Sequence, residues 1–290
     1  MAIPFLQILW NGIFIGLVYG LVAAGVSFLY STTRIFHLAH GVVILAGGYT
    51  FWWAWAHMHL PFLVAVLSAL AAAAGIGVVM NEFVYERLRR RGAKGLGYLV
   101  STLAMLIFGT GFIIALFGAS PRTFQVHETL IEYGGVSATS LQLIEAGTST
   151  ALLVLFFWIT RFTKFGKAMR ATADNETVAE VLGIDTRRIR RVAFLLASAL
   201  AGAAGIIFGL EFNLDPNMGV FLAVTGFAAA VVGGVGSFGG TICGALLLGT
   251  VGQFVIWFFG AGWKDVISFN ILFFFLLLRP QGMFGAKGKE

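Results

Sequence analysis

The run Gly234-Val235-Gly236-Ser237-Phe238-Gly239 spells GxGxxG, a spacing that elsewhere lets a backbone wrap a pyrophosphate at a helix N-terminus. Its surroundings exclude that use. FAAAVV precedes it, TICGALLLG follows it, and no acid occurs before Asp265, whereas the fingerprint follows a strand and meets an acid about 20 residues on. An ion filter would need rings of carbonyls from several subunits. Close helix packing is the better reading: Gly233, Gly236, Gly240 and Gly244 include small-xxx-small spacings that let helix backbones approach. His37 and His40 could hold a metal or relay a proton, but no carboxylate stands near them in sequence, so no metal site is expected. A single cysteine, Cys243, excludes an internal disulfide framework and a cysteine metal cluster. The chain contains no GxxxxGKS/T, HExxH, GxSxG or paired CxxC. It is therefore not expected to be an enzyme or to carry a cofactor, and any ATP it uses must be hydrolysed by a partner.

The longest polar stretch is an island of charge between Arg161 and Arg191. Asp174 or Asn175 can cap a helix there, Glu176 falls in its first turn, and Gly183 supplies a stop. Val178, Val181 and Leu182 recur at i, i+3, i+4, so a short amphipathic helix outside the membrane is predicted. It could lie on lipid headgroups or dock on a protein. Arg170, Asp174 and Glu180 give it both signs of charge, which suits a protein groove better than an anionic surface.

Everything around the island is apolar. Hydrophobic residues make up 59% of the 290 and charged residues 11%, with a mean hydropathy of +0.91; a soluble domain carries about 25% charged residues. Apolar segments run roughly Phe5–Tyr30, Leu38–Ala56, Pro61–Val84, Leu96–Gly118, Leu141–Thr160, Val192–Leu210, Val220–Val235, Thr241–Gly260 and Val266–Leu278, and a crossing takes about 20 such residues. The expected fold is an all-α polytopic bundle of about eight or nine spans, some of them interrupted or re-entrant around His37–Gly41 and Gly233–Gly240. It forms one domain over residues 1–290.

Basic residues orient it. Clusters at Arg87–Lys94, Arg161–Arg191 and Arg279–Lys289 hold all of the nineteen except Arg34, Arg122 and Lys264. The segments between them pair off so that the three share one face, and basic loops stay in the cytoplasm. The net charge of +6 thus reflects topology rather than nucleic-acid binding. Loops 120–140 and 211–219 would face outward, and parity would put the N-terminus outside unless the first or second span is broken, which reverses it. The opening residues lack a cationic region, so they read as a first span rather than a cleaved signal.

Asn11, Tyr19, Ser27, Tyr30, His37, His40, Thr102, Gln253 and Asn270 are polar positions in or beside apolar runs. Such groups satisfy one another in the bundle interior or line a path. Several converge on Tyr30–Gly41, where the helix is expected to break, and irregular backbone at membrane depth needs protein or a water-filled cavity beside it. Tyr19, Tyr30, His37, His40 and Gly41 are the positions expected beside a translocation path.

Four stretches resemble, in order, permeases of branched-chain amino acid ABC importers. They are Asn11-Gly12 with Gly16, Tyr19, Gly20, Gly25 and Tyr30, leading to Leu38-Ala39-His40-Gly41; Gly166-Lys167-Ala168-Met169-Arg170-Ala171 with Ala173, Ala179 and Gly183-Ile184; Pro216, Gly219 and Phe227–Ser237; and Arg279-Pro280-Gln281-Gly282-Met283-Phe284-Gly285. Together they cover essentially the whole chain. The chain departs from the family's usual residues at His37, Val42 and Thr225-Gly226. The resemblance implies a coupling helix within about residues 162–190, with Arg170, Asp174, Asn175, Val178, Ala179, Val181, Leu182 and Gly183 as the residues that meet an ATPase. It also implies a multi-pass location in a bacterial-type inner membrane. The partners it implies are two cytoplasmic ATPase subunits, a second related permease or a copy of this chain, and an extracytoplasmic solute-binding protein. Cargo would be a branched-chain or other amino acid, or by the same machinery urea or a short amide. The rival reading is an ion-coupled secondary transporter or channel working alone. Such proteins bury coupling carboxylates at the midplane, whereas Glu82, Glu86, Glu145, Glu211, Asp215 and Asp265 fall near predicted span ends.

Overall fold

A computed structural model describes residues 2–126, 128–279 and 281–284. Pro280, Gly285, Lys287 and Lys289 lie outside the described residues. Each of the nine apolar segments is a helix: α1 (Ala2–Thr33), α2 (His40–Trp52), α3 (Phe62–Val79), α5 (Gly95–Phe117), α6 (Ser140–Phe162), α9 (Thr186–Phe212), α10 (Met218–Gly233), α11 (Phe238–Phe259) and α12 (Lys264–Leu278). Between them stand α4 (Glu86–Arg90), α7 (Lys164–Asp174) and α8 (Glu176–Val181). The result is a helical membrane bundle. Among the described residues six stretches are long and apolar enough to cross a bilayer by themselves: Phe5–Thr33, Phe62–Arg90, Gly95–Phe117, Ser140–Phe162, Thr186–Phe212 and Phe238–Phe259. α2, α10 and α12 are shorter, at 13, 16 and 15 residues. α2 runs on as a π-helical segment, Trp53–His57, and a second one, Met80–Tyr85, joins α3 to α4.

The expected outer loop 120–140 contains a hairpin that the all-α reading omitted. β1 (Leu130–Tyr133) pairs antiparallel with β2 (Val136–Thr139), with Tyr133 opposite Val136. Gly134 and Gly135 turn it at φ +59° and +82°, the positive values a two-residue hairpin turn requires.

The chain divides into two compact units. One comprises Met1–Ser27, Gln125–Leu153 and Thr225–Glu290, the other Phe28–Phe124 and Val154–Val224. In the second unit α9 packs on α2 and α3 at backbone distance. A Cβ on Gly47 would strike the Gly202 backbone, and one on Gly205 would strike the Ile44 carbonyl. Phe51, Ala54, Ala65, Ala69 and Ile206 form a buried cluster beside this seam. In the first unit α1 meets α11 in the same manner: a Cβ on Gly12 would lie 2.6 Å from Thr250 Cα, and one on Gly249 2.5 Å from Gly16 N. Without a hydrophobic driving force between helices in lipid, such contacts supply van der Waals cohesion instead.

Candidate functional site

The charged island folds into two helices where one was expected. Thr163 caps α7, its Oγ1 accepting from the Gly166 N–H at 3.1 Å. Asn175 is extended (φ −155°, ψ 107°) and interrupts the helix. Asp174 therefore ends α7, while Asn175 caps α8 by accepting from the Val178 N–H at 3.0 Å. Gly183, at φ +82°, closes α8: its N–H donates to the Glu180 carbonyl, and the Ile184 N–H donates to that of Ala179, each at 2.9 Å. Asp185 then caps α9 through the Arg188 N–H at 2.9 Å. On α8 and just past it, Val178, Val181 and Leu182 are 52%, 83% and 73% exposed, whereas Ala179 is buried against its own chain.

The inner face of the island is clamped by arginine. Arg170 donates to the Thr160 carbonyl at 2.5 Å and to that of Arg161 at 3.3 Å, satisfying carbonyls that the end of α6 leaves unpaired. Arg34 donates to the Ala173 carbonyl at 3.2 Å. Glu176 binds Arg89 at 2.9 Å and also Arg190. Arg190 reaches Glu86 at 2.7 Å, with both side chains only 6% exposed. Thr186 donates to Glu180 at 2.7 Å, and Glu82 holds Arg187 at 2.5 Å and Arg191 at 2.8 Å. Two turns of α8 are thus tied to the ends of two long apolar helices. Sequence reading used these arginines for orientation and assigned Glu82 and Glu86 no role. Their i, i+4 spacing, set against Arg187, Arg190 and Arg191, was the available signal.

The expected break at Tyr30–Gly41 is present. α1 stops at Thr33, Arg34 takes φ +57°, and helix resumes at His40. Thr33 Oγ1 accepts from the Ile35 N–H at 3.2 Å, and Thr102 Oγ1 accepts from that of Ala39 at 2.8 Å. His37 Nδ1 shares a hydrogen bond with the Tyr85 hydroxyl at 2.6 Å, and its ring stands edge-on to His40, centroids 5.7 Å apart. His40 is fully buried, and neither of its ring nitrogens has a hydrogen-bond partner among the described residues. No group of three metal-ligating side chains forms among those residues. Gly41 lies against Gly219, whose carbonyl a Cβ would strike. Tyr30 packs on Phe36, centroids 4.4 Å apart. Tyr19 belongs to the other unit, where Lys264 Nζ sits 5.7 Å from its ring centroid.

The glycine-rich element is a turn between two helices, not a ridge along one. Gly233 ends α10; Gly240 and Gly244 lie on α11. A Cβ on Gly233 would strike the Gly240 carbonyl, and one on Gly244 the Ala229 carbonyl. Gly236 differs from the packing role expected for it. It stands in open space at φ +92°, so it serves the turn's conformation. Its N–H donates to Ser27 Oγ at 3.0 Å, and Ser27 also meets Thr241 Oγ1 at 3.1 Å. The segment after α12 returns to the same place. The Met283 and Phe284 N–H groups donate to the Val232 and Gly233 carbonyls at 2.9 and 3.0 Å.

These features coincide with similarity across the chain. The family described as "Branched-chain amino acid transport system / permease component" matches residues 8–276. The high-affinity branched-chain amino acid transport system permease protein BraD of Pseudomonas aeruginosa is 32% identical over 97% of this chain and 96% of its own length. The corresponding protein LivH of Escherichia coli is 31% identical with the same coverage. Among solved structures, PsaBC from Streptococcus pneumoniae in complex with Fab shares the fold at a TM-score of 0.54, with 16% identity and 97% of each chain covered. A multi-pass helical bundle with that similarity over its whole length belongs to the family of branched-chain amino acid transport permeases of the cytoplasmic membrane.

Proposed function

We propose that this chain is the membrane subunit of an ATP-driven importer for a small polar solute, an amino acid with a branched aliphatic side chain first. In this reading an extracytoplasmic binding protein delivers the solute. A second related permease or a copy of this chain completes the conduit, and two cytoplasmic ATPase subunits drive it. One observation carries the proposal: Val178, Val181 and Leu182 are bare on and just past a short helix whose opposite side is clamped at Glu176 by Arg89 and Arg190. Burying each in a partner groove yields about 1.5–3 kcal/mol. A clamped helix transmits a push that a loose loop would absorb. Arg170, Asp174, Asn175, Ala179 and Gly183 shape that helix and its approach rather than meet the ATPase through side chains.

The names of the relatives support the cargo. The rival, ion-coupled reading is disfavoured because Glu82 and Glu86 are already paired with arginine. His40, with its buried ring nitrogens, supports a polar path beside Tyr30, His37 and Gly41. The three short helices support eight or nine membrane elements, not all of them full crossings, within one permease domain. The test is Val178→Asp with Leu182→Asp in a reconstituted complex. Uptake and solute-stimulated ATP hydrolysis should fall about tenfold or more, with insertion unchanged. Undiminished coupled uptake, or ion-driven transport by the chain alone, refutes the proposal.

A further inference from the structure

A polar cavity of about 280 Å³ opens where α4 meets the start of α9, lined by Glu82, Phe83, Glu86, Arg87, Arg90 and Arg187. Both of its carboxylates are already neutralised, Glu82 by Arg187 and Arg191, Glu86 by Arg190. Arg87 and Arg90 make no ion pair among the described residues, and Arg87 lies over the Phe83 ring at 5.1 Å. The cavity therefore carries surplus guanidinium charge. Toward the bilayer on the same continuous helix, Val79 and Phe83 are exposed. Along this surface a greasy stretch gives way to a basic hollow at the helix end. An acidic phospholipid presents the complementary order, acyl chain and then phosphate.

We propose that this hollow binds the phosphate of an anionic phospholipid from the leaflet on the basic side. Arg87 and Arg90 are the phosphate donors, and Val79 and Phe83 lie along the chain. Guanidinium suits the task because its planar fork matches phosphate oxygens two at a time, and basic hollows at helix ends are where acidic headgroups gather. The arginine pairs on Glu82 and Glu86 are a precondition, since an unneutralised carboxylate in the wall would repel the phosphate. The site is independent of the transported solute.

Native mass spectrometry of the full-length protein, released from detergent with phosphatidylglycerol, phosphatidylcholine or inorganic phosphate added, tests this. Phosphatidylglycerol should stay bound at collision energies that strip phosphatidylcholine. Arg87→Gln with Arg90→Gln should weaken that retention about tenfold, while Arg161→Gln with Lys164→Gln, exposed basic residues outside the hollow, should not. If the double variant does not purify as a single species, Arg87→Lys alone should lose two- to threefold, keeping charge but not the fork. Equal retention of the two lipids, equal loss in the control pair, or no loss in Arg87→Lys overturns the assignment. Saturation by inorganic phosphate without lipid would overturn it in favour of a soluble anion.

Discussion

The two joints of this molecule are built on opposite principles. At the charged island, α8 is held by side chains that reach across space: Glu176 to Arg89 and Arg190, and Arg190 to Glu86. At the Gly233–Gly240 turn side chains contribute little beyond the Ser27 hydroxyl, which meets the Gly236 N–H and Thr241. Backbone lies on backbone because side chains are missing, and the Val232 and Gly233 carbonyls accept from the returning segment. The first joint can be adjusted at its Glu176 edge, where half-exposed ion pairs weaken with salt, while the Arg190–Glu86 pair beneath is screened far less. The second can only be present or absent. A moving lever suits the first kind of joint, and a fixed corner of the bundle suits the second.

The packed glycine of the corner should show the largest effect, loss of the folded species. Gly233→Val drives carbon into the Gly240 backbone and should cost about 3 kcal/mol or more, seen as loss of the monodisperse peak in fluorescence-detected gel filtration. Next comes Arg190→Ala, which leaves Glu86 charged and buried; about 3–5 kcal/mol is expected from detergent thermal unfolding. Arg190→Met combined with Glu86→Met should recover most of that loss. If the single change were harmless, the two joints would not differ as described. Gly236→Ala should cost about 1–2 kcal/mol through its positive φ alone, since no atom stands where the Cβ would go. Glu176→Gln should be the mildest for stability, about 1 kcal/mol or less because the carboxylate is half exposed. It should nevertheless lower uptake per ATP hydrolysed. A change confined to stability would show that the clamp anchors without transmitting.

Much of the membrane fold was legible because apolar length is a strong signal: all nine segments are helices, their ends differing from the expected bounds by a few residues. The hairpin was also written in the chain, as Gly134-Gly135 between β-branched and aromatic residues, but the apolar background drew attention to spans. In the sequence Asp174 and Asn175 are both candidates for the cap, and the capacity of Asn175 to split the island depends on extended backbone that no spacing reveals. Gly236 looked like its neighbours in the small-residue pattern, and its φ and the open space around it separate it from Gly233. The clamp was least visible. Its glutamates and arginines sit about ninety residues or more apart in several cases, and pairing over such distances follows from packing, not from local pattern.

Because the Val232 and Gly233 carbonyls take their partners from Met283 and Phe284, about fifty residues downstream, the corner cannot close while the intervening chain is still being synthesised. At ribosomal speeds of about 5–20 residues per second that interval lasts ~3–10 s. Until Met283 and Phe284 arrive, those two carbonyls at the end of α10 must find other partners or go without.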